Sequence, residues 1–459
     1  MKPYAAQIAQ QQAAQRRPQR EQQTRQAQYG IGSGDQWEPP EIQSIRDTGL
    51  NMGLVSELIL KTLYFSGFMT GYQIAEFIKL PFNGVVDQVL EFLKRERWVE
   101  VKGAGGLGEG AYQYVITGAG TTKAQEALER SQYAGAAPVP IRHYMAGILE
   151  QHKEVSVTKA VLERALSHLI VSQEIMEKVG PAVNSGRSIF LYGPPGNGKT
   201  TISEAVGRVV LGSGIYIPYA VDIDGQVVRV FDSVNHEVIE ETKATSTGTG
   251  SGRSRPDPRW VKIKRPVIMV GGELTLESLD LVYDSVNKYY EAPFQMKSNG
   301  GMFLIDDFGR QQVRPRDLLN RWIVPLEKRI DFLTLANGRK IEVPFDVLVV
   351  FSTNLEPSDL VDEAFLRRIR HKIEIIDPTF EEFREIFMLF ADRTGLPYDD
   401  KVLAYLLQEW YIKQNRPLRA VHPRDIISQM RDISSYLDVP FEMTKELIDR
   451  ACSAYFVDL

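Results

Sequence analysis

The sequence has few of the residues that build disulfides or zinc sites. Its 459 residues include a single cysteine, Cys452, and six histidines. One cysteine cannot form an internal disulfide framework and is typical of a reducing compartment, so the composition predicts a cytoplasmic protein. The histidines show no HxxxH spacing, which argues against zinc. No apolar run approaches the roughly 18 residues of a membrane helix, and the first ten residues lack a signal peptide's apolar core. We therefore expect no membrane association.

The sequence also lacks an excess of positive charge. With 54 basic and 59 acidic residues, the formal net charge is −5, which provides no overall attraction for nucleic acid. Hydrophobic residues make up 43% and charged residues 25%, values typical of a globular protein in water. A chain of 459 residues exceeds one ordinary core, and we expect two or three domains.

The N-terminal part changes character at about residue 48. Residues 1–40 contain eleven glutamines and almost no large apolar side chains, so we expect a disordered Gln/Arg-rich tail over 1–47. Three segments with helical spacing follow, and then two strand-like stretches, Trp98–Val101 and Tyr112–Ile116, joined by a glycine-rich connection. This order predicts a winged helix-turn-helix over 48–130.

The next segments are predicted from composition and spacing. The Ala-Pro-Val-Pro run within 131–154 predicts a linker. Helical spacing predicts one long helix from Val157 to Val179. Farther on, two strand-like stretches flank Asp224-Gly225, a tight hairpin turn. They lie in an expected insertion of about 215–262, whose Gly- and Ser-rich tract predicts a mobile surface loop.

A phosphate-binding loop follows the short apolar strand 189–192. Residues 193–200 read GPPGNGKT, in which the glycines let the backbone N–H groups face a polyphosphate. Lys199 is expected to reach the β- and γ-phosphate oxygens, and Thr200 to offer its hydroxyl to Mg²⁺. The predicted nucleotide-binding residues are Gly193, Pro194, Pro195, Gly196, Asn197, Gly198, Lys199, Thr200 and Thr201. The sequence thus predicts a nucleotide-binding protein.

Two carboxylates follow a second apolar strand, Met302–Ile305. Four apolar residues predict a buried parallel strand, and Asp306 and Asp307 would emerge at its C-terminal end beside the phosphate loop. We expect Asp306 to hold Mg²⁺ through water and Asp307 to orient or deprotonate the attacking water. Without the phosphate loop, a solvated strand end would be the default interpretation.

Further polar residues occur at strand and helix ends. A third strand, Val347–Phe351, is followed by Asn354, whose amide could bind the attacking water or the γ-phosphate, or could simply cap the next turn. Three arginines within 367–370 precede another strand. Such a cluster is usually a solvated helix end, but one arginine could reach a neighbouring subunit's phosphate. Arg424 begins a late helix, where it could close over the nucleotide or form a helix-start ion pair.

In this order, the motifs resemble those of AAA+ ATPases. GPPGNGKT is similar to the family's Walker A motif, FLIDD to Walker B, FSTN to the sensor-1 strand, FLRRIR to the finger helix and HPRD to the sensor-2 helix. The resemblance implies an α/β core at 155–377 whose parallel sheet has the order 5-1-4-3-2, and a helical lid at 378–459. It further implies ATP and Mg²⁺ as cofactors and a ring, commonly of six subunits.

The resemblance also implies roles for single residues. Thr200 and Asp306 would bind the metal, Asp307 would activate water and Asn354 would be sensor 1. Arg424 would be sensor 2. Arg368 is favoured as the arginine finger, with Arg367 second.

A hairpin signal, Asn337-Gly338, precedes the sensor-1 strand. A hairpin at this place resembles the AAA+ branch that contains MoxR-type chaperones, the Holliday-junction motor and the sigma-factor activators. The activators' GAFTGA loop is missing from the sequence. The alternative is a connection without family meaning.

Two departures from the family pattern affect the expected activity. The water-activating residue is usually Glu, and Asp307 is one methylene shorter, so we expect modest hydrolysis. The usual aromatic-apolar-Gly pore loop is not evident after Val267–Val270. A helix is expected there instead, with Tyr283, Tyr289 and Tyr290 either lining a pore or packing.

The charges of the N-terminal module bear on its partner. Residues 51–130 contain eight basic and nine acidic residues, whereas DNA-binding modules normally carry a basic stripe. We therefore expect a ring-forming ATPase that remodels a macromolecular client, a protein being favoured over DNA. The alternatives are a DNA-associated motor or loader and a slow-hydrolysing nucleotide switch.

Overall fold

The computed structural model describes most of the chain. The described residues are 37–104, 106, 108–152, 157–210, 214–240, 255–360 and 366–456. Most of the expected disordered tail, the centre of the expected mobile loop and the first residue of FLRRIR lie outside the described residues. Within the described part, no helix combines the length and the apolar character needed to cross a membrane.

The N-terminal module is a helical layer on a small antiparallel sheet of order β1-β3-β2. Its elements are α1 Ile45–Thr48, α2 Met52–Ser66, β1 Phe68–Thr70, α3 Gly71–Ile78, α4 Asp87–Arg95, β2 Val99–Ala104, β3 Tyr112–Ile116 and α5 Gly118–Arg130. Asn51 caps α2 by accepting from the Leu54 N–H, and Thr70 and Gln73 form a capping box on α3. The helices and the sheet bury one continuous core.

The predicted linker is instead folded. Within 131–154 lie β4 Val139–Pro140 and α6 Ile141–Glu150. Val139 and Tyr144 are fully buried, and β4 pairs in parallel with a strand of the next region. The prediction of a linker was wrong because the proline-rich run leads directly into a helix with an apolar face, which packs against distant strands.

The central region alternates strands and helices. Its elements are α7 Lys159–Leu166, α8 Gln173–Asn184, β5 Ile189–Tyr192, α9 Lys199–Val210, β6 Ile215–Pro218, β7 Ala220–Ile223, β8 Gln226–Arg229, β9 Trp260–Ile263, β10 Val267–Val270, β11 Val282–Asp284, β12 Tyr289–Glu291, α10 Phe294–Lys297, β13 Met302–Ile305, α11 Pro315–Arg321, α12 Ile323–Lys328, β14 Ile330–Thr334, β15 Lys340–Pro344, β16 Leu348–Ser352, α13 Pro357–Leu360 and β17 His371–Glu374.

Five of these strands form a parallel sheet of order β10-β13-β16-β5-β17. Counted along the chain within this sheet, the order from the other edge is 5-1-4-3-2, which confirms the expected fold class. Both faces of the sheet are covered by apolar clusters. All residues of β13 and β16 are therefore buried, as expected for central parallel strands.

A second sheet has the strand order β11-β12-β8-β7-β4. The predicted turn at Asp224-Gly225 is confirmed, because β7 and β8 form an antiparallel hairpin and both turn residues have positive φ. The hairpin β14–β15 is also confirmed, with Gly338 at φ 80°. Its apolar side chains share a core with the second sheet.

Two helix predictions were wrong. Tyr283, Tyr289 and Tyr290 lie on the antiparallel strands β11 and β12 rather than on a helix. Of the three, Tyr290 is buried in the core that the second sheet shares with the hairpin β14–β15. The helix expected from Val157 to Val179 is divided into α7 and α8. The division follows from Ser172, whose side chain accepts from the Ile175 N–H and begins a new helix.

The C-terminal lid is helical. It consists of α14 Phe380–Thr394, α15 Asp400–Leu406, α16 His422–Leu437 and α17 Lys445–Tyr455. Thr379 and Glu382 form a capping box on α14, and Gly395 ends that helix at φ 73°. The C-terminal helices and the segment Leu407–Ile412 between them bury their own apolar core.

Candidate functional site

The candidate site lies where three parallel strands end side by side. The loop 193–198 follows β5, Asp306 and Asp307 follow β13, and Asn354 comes two residues after β16. Since β16 lies between β5 and β13, the pairing brings these three chain segments to one edge of the sheet. Ligands of open α/β sheets bind at this carboxyl edge.

The phosphate loop requires glycine at two close approaches. Gly193 has φ 125°, and a Cβ there would lie 2.4 Å from the Ile375 carbonyl oxygen. Gly196 has φ 82°, and its Cβ would lie 2.8 Å from the Val421 side chain in the lid. Side chains at either position would therefore disturb the packing of β17 or of the lid against the loop.

Lys199 is the cation of the site. Its Nζ donates to the carbonyl oxygens of Gly193 and Pro194, both at 2.9 Å, and to Asn354 Oδ1 at 2.7 Å. The residue is only 6% exposed. Burial lowers the pKa of Lys199, while the nearby Asp306 and Asp307 carboxylates act in the opposite direction.

The remaining polar side chains are linked in pairs. Thr200 Oγ1 donates to Asp306 Oδ2 at 2.8 Å, and Asn354 Nδ2 donates to Asp307 Oδ1 at 3.1 Å. The expected convergence of Lys199, Asp306 and Asn354 is therefore present. Mg²⁺ prefers oxygen ligands, and here a hydroxyl and a carboxylate oxygen lie side by side. Thr200 and Asp306 therefore fit the expected metal site.

The loop that carries Asp307 is held against β16. Asp307 has the positive φ of 47°, which is uncommon for a residue with a side chain. The next residue, Phe308, donates its N–H to the Ser352 carbonyl at 2.7 Å and accepts from Thr353 Oγ1 at 2.6 Å. The Phe308 ring is buried. These contacts connect the position of Asp307 to the strand that precedes Asn354.

A cavity of about 590 Å³ opens between the strand ends and the lid. Its polar end contains Lys199, Thr200, Asp306, Asp307 and Asn354. The other end is mostly apolar and is lined by Leu169, Ile170, Val171, Ile386, Leu389 and Phe390. A cavity with one charged and one apolar end suits a ligand that joins phosphates to a flat base.

A polar bridge connects the phosphate loop to the lid. Asn197 Nδ2 donates to Asp377 Oδ1 at 2.7 Å, and Asn197 Oδ1 accepts from the Ala420 N–H at 3.1 Å. Arg419 forms an ion pair with the same Asp377 carboxylate. The Val421 N–H also donates to the Gly196 carbonyl at 2.9 Å. The loop thus holds the lid segment directly.

The sequence analysis missed Asp377 and Arg419 because neither belongs to a local motif. It also missed Arg393, which donates to the His168 carbonyl at 2.8 Å at the apolar end of the cavity. The partners are 42 and 225 residues apart in sequence. The signal in the sequence for Asp377 was a charged residue shortly after the last core strand, β17.

Some of the other predicted site residues line the cavity, and others do not. Pro195, Asn197, Gly198 and Thr201 line the cavity, and so does Arg424. Arg424 is 60% exposed and pairs with its neighbour Asp425. Arg368 does not line the cavity, and its Nε donates to Glu327 at 2.7 Å. The exposed Arg367 does not line the cavity either.

Comparisons with known proteins find two partial similarities in sequence. A family model described as "Domain of unknown function (DUF8689)" matches residues 379–454, the helices of the lid. A curated relative from Kocuria rhizophila, described as an AAA ATPase forming ring-shaped complexes, is 29% identical over 230 residues. The aligned part covers 48% of this chain and 31% of the relative, so the chain spans less than a third of the relative's length.

Solved structures show a more distant likeness. NtrX from Brucella abortus in complex with ADP is 14% identical, with a TM-score of 0.38 over 71% of this chain and 64% of that one. A mutant of RuvB from Thermotoga maritima is 13% identical, with a TM-score of 0.36 over 63% of this chain and 72% of that one. The fold is that of a P-loop α/β core with a helical lid, and the similarity in sequence is to a protein described as an AAA ATPase.

Proposed function

We propose that the protein binds ATP with Mg²⁺ and hydrolyses it in a ring of identical subunits, in order to remodel a macromolecular client. The observation that carries the proposal is the hydrogen-bonded cluster at the polar end of the cavity. Lys199 contacts Asn354, Asn354 contacts Asp307, and Thr200 contacts Asp306. These are the side chains that binding and cleavage of a triphosphate require.

Each side chain has a separate task in this proposal. Lys199 binds the β- and γ-phosphate oxygens. These oxygens would compete with Asn354 Oδ1 for the ammonium group of Lys199. Thr200 and Asp306 hold Mg²⁺, which when bound neutralises the charge that develops on the phosphates. Asp307 orients the attacking water and accepts its proton. Asn354, already bonded to Asp307, directs its amide to the same water or to the γ-phosphate.

The proposed rate of hydrolysis is modest. Asp307 has one methylene fewer than the glutamate common in similar ATPases, so its carboxylate lies farther from a water aligned with the γ-phosphate. A slow-hydrolysing nucleotide switch is the second candidate, and Asp307 is the residue that favours it.

Ring formation is proposed from the similarity to the relative described as forming ring-shaped complexes. We propose six subunits. Arg368, with Arg367 as the second choice, would act as the arginine finger on the ATP of the neighbouring subunit. To do so, Arg368 would exchange its contact with Glu327 for a phosphate oxygen. Arg424, at the cavity and 60% exposed, is the proposed sensor 2.

The N-terminal module is proposed to be a winged helix that recruits the client. Its three main helices followed by the β2–β3 hairpin support this interpretation. The near balance of charge over 51–130 favours a protein client over DNA. Exposed apolar side chains also favour a protein client, since Phe65 is 63% and Phe68 60% exposed. The hairpin β14–β15 before β16 supports a MoxR-like remodeller, and the single cysteine supports a location in the cytoplasm.

Steady-state ATP turnover of the full chain tests the proposal. We expect measurable hydrolysis with Mg²⁺ that is lost in Lys199→Ala and falls to a low residual rate in Asp307→Ala, the latter with ATP binding retained. Unchanged hydrolysis in Asp307→Ala would overturn its assignment. ATP binding and assembly without turnover would favour the switch, and stimulation of hydrolysis by DNA would favour a DNA-associated motor or loader.

A further inference from the structure

The side chain of Gln311 closes the loop that carries the two carboxylates. Its Nε2 donates to the Asp306 carbonyl at 2.9 Å and to the Asp307 carbonyl at 3.1 Å. Its Oε1 accepts from the Gly309 N–H at 2.8 Å. One side-chain amide thus bonds the backbone of three residues, Asp306, Asp307 and Gly309, and nothing in the phosphate-loop chemistry described above uses it.

The loop needs such support because its backbone is strained. Asp307 is in the left-handed region at φ 47° and Gly309 at φ 106°. A left-handed conformation at a residue with a Cβ costs on the order of 1 kcal/mol and persists only where surrounding contacts hold it. The contacts of Phe308 with β16 hold the far side of the loop, and Gln311 holds the near side.

The position of the Asp307 carboxylate depends strongly on this backbone. An aspartate has one rotatable bond fewer than a glutamate, so its side chain has less freedom to correct a misplaced Cα. A displacement of about 1 Å at a reacting group can reduce a rate by roughly a hundredfold. The shorter Asp307 therefore makes the loop geometry more important for the reaction.

We propose that Gln311 is a positioning residue for ATP hydrolysis, because its amide fixes the Asp306–Asp307 backbone and thereby places the Asp307 carboxylate against the attacking water. The proposal rests on the proposed ATPase function. Gln311 acts through Asp307 and does not itself line the cavity.

The inference is tested by comparing Gln311→Ala, Gln311→Asn and Gln311→Glu in the full chain. Turnover number should fall by about tenfold to a hundredfold in Gln311→Ala, while KM and the affinity for a fluorescent ATP analogue stay within about twofold. Gln311→Glu has the same length but cannot donate to the two carbonyls, and it should lose at least as much. Gln311→Asn, which keeps the donor on a shorter chain, should recover part of the rate. The exposed neighbour in Gln312→Ala is the matched control and should keep the full rate.

A double-mutant cycle separates positioning from a purely structural role. In an Asp307→Ala background, Gln311→Ala should cause no further loss of the residual rate, because the group that it positions is absent. Full turnover in Gln311→Ala, an equal loss in both backgrounds, or a loss that appears only in KM would each overturn the inference. A wild-type protein without turnover would instead overturn the proposed function.

Discussion

Asn354 shows how much one side chain can connect in this site. Its carbonyl oxygen accepts from Lys199 at 2.7 Å, and its amide nitrogen donates to Asp307 at 3.1 Å. A carboxamide provides an acceptor and a donor on separate atoms of one short, neutral side chain. The residue therefore links the lysine proposed to bind phosphate to the carboxylate proposed to activate water, and its role can be tested with an isosteric change.

We expect Asn354→Asp to reduce turnover by roughly tenfold or more while ATP affinity changes less. The new carboxylate would still accept from Lys199, but it could not donate to Asp307 and would repel it. Steady-state kinetics together with nucleotide titration measure the two effects. Asn337→Asp, an identical change in the turn of β14–β15, should leave both unaltered. Equal rates for Asn354→Asp and wild type would show that the amide has no part in the reaction.

A second residue-scale consequence concerns His422 in the lid. The imidazole Nδ1 lies 3.0 Å from the Tyr411 hydroxyl, among the rings of Tyr455 and Phe456. Burial, with a smaller effect of Arg419, lowers the pKa of His422 from 6.5 to about 4. The folded lid thus holds the neutral imidazole. The stabilisation is complete above pH 6.5, where the unfolded histidine is also neutral, and is lost as the pH falls toward 4.

His422→Phe should therefore weaken the pH dependence of stability between these two values. We expect the wild type to lose on the order of 1–2 kcal/mol through this group on acidification. Chemical denaturation at pH 7 and pH 5 measures the difference. His168→Gln, which alters an exposed imidazole, serves as the control. Parallel losses in wild type and His422→Phe would contradict the prediction.

At the scale of elements, the phosphate loop and the lid are joined by few contacts. The lid segment before α16 meets the loop through Asp377, which accepts from Asn197 and pairs with Arg419. These contacts lie at one end of the cavity, while Arg393 bonds the His168 carbonyl at the other. The orientation of the lid, and with it the width of the cavity, therefore depends on a small number of polar bonds.

Asp377→Ala should weaken ATP binding by about three- to tenfold. The change removes the acceptor of Asn197 and the counter-ion of Arg419, so the lid wall is held less firmly; a tenfold loss corresponds to about 1.4 kcal/mol. Titration with a fluorescent ATP analogue measures it. Asp392→Ala removes an exposed carboxylate of the same lid and should have no effect. Unchanged affinity in Asp377→Ala would mean that the bridge does not influence binding.

At the scale of the whole molecule, Arg259 connects the N-terminal module to the central region. Its guanidinium forms a two-pronged pair with Asp257 and donates to the carbonyl oxygens of Thr48 at 2.9 Å and Pro138 at 3.1 Å. The side chains of Arg259 and Asp257 are 1% and 4% exposed. One buried ion pair thus joins the end of α1, the start of β4 and the strand β9.

Arg259→Met should destabilise the protein by about 3–5 kcal/mol. Removing the guanidinium leaves Asp257 as a buried charge without its counter-ion. Thermal unfolding and limited proteolysis measure the loss, and adding Asp257→Asn to Arg259→Met should restore part of it. Arg384→Met, which breaks the exposed pair with Asp400, should change the unfolding temperature little. A similar small change for Arg259→Met would show that the junction does not depend on this pair.

Local sequence determined the elements whose chemistry is contiguous in the chain. The glycines of 193–198 permit the positive φ angles of the loop, and the four apolar residues of β13 suit a buried parallel strand. The resemblance built on these motifs implied the sheet order that the structure confirms, and the pairing of strands then placed Lys199, Asp306 and Asn354 together.

Tertiary structure alone decided the contacts that have no local pattern. Examples are the pairing of β4 with β7, the bridge at Asp377 and the junction at Arg259. The bridge and the junction include contacts between residues that are 42 and 211 apart in sequence. A buried charge or a proline-rich strand is stabilised only by the partners that the fold supplies. The position of the polar residues at the sheet edge therefore follows from the sequence. The contacts that attach the lid and the N-terminal module to the central region follow from tertiary packing.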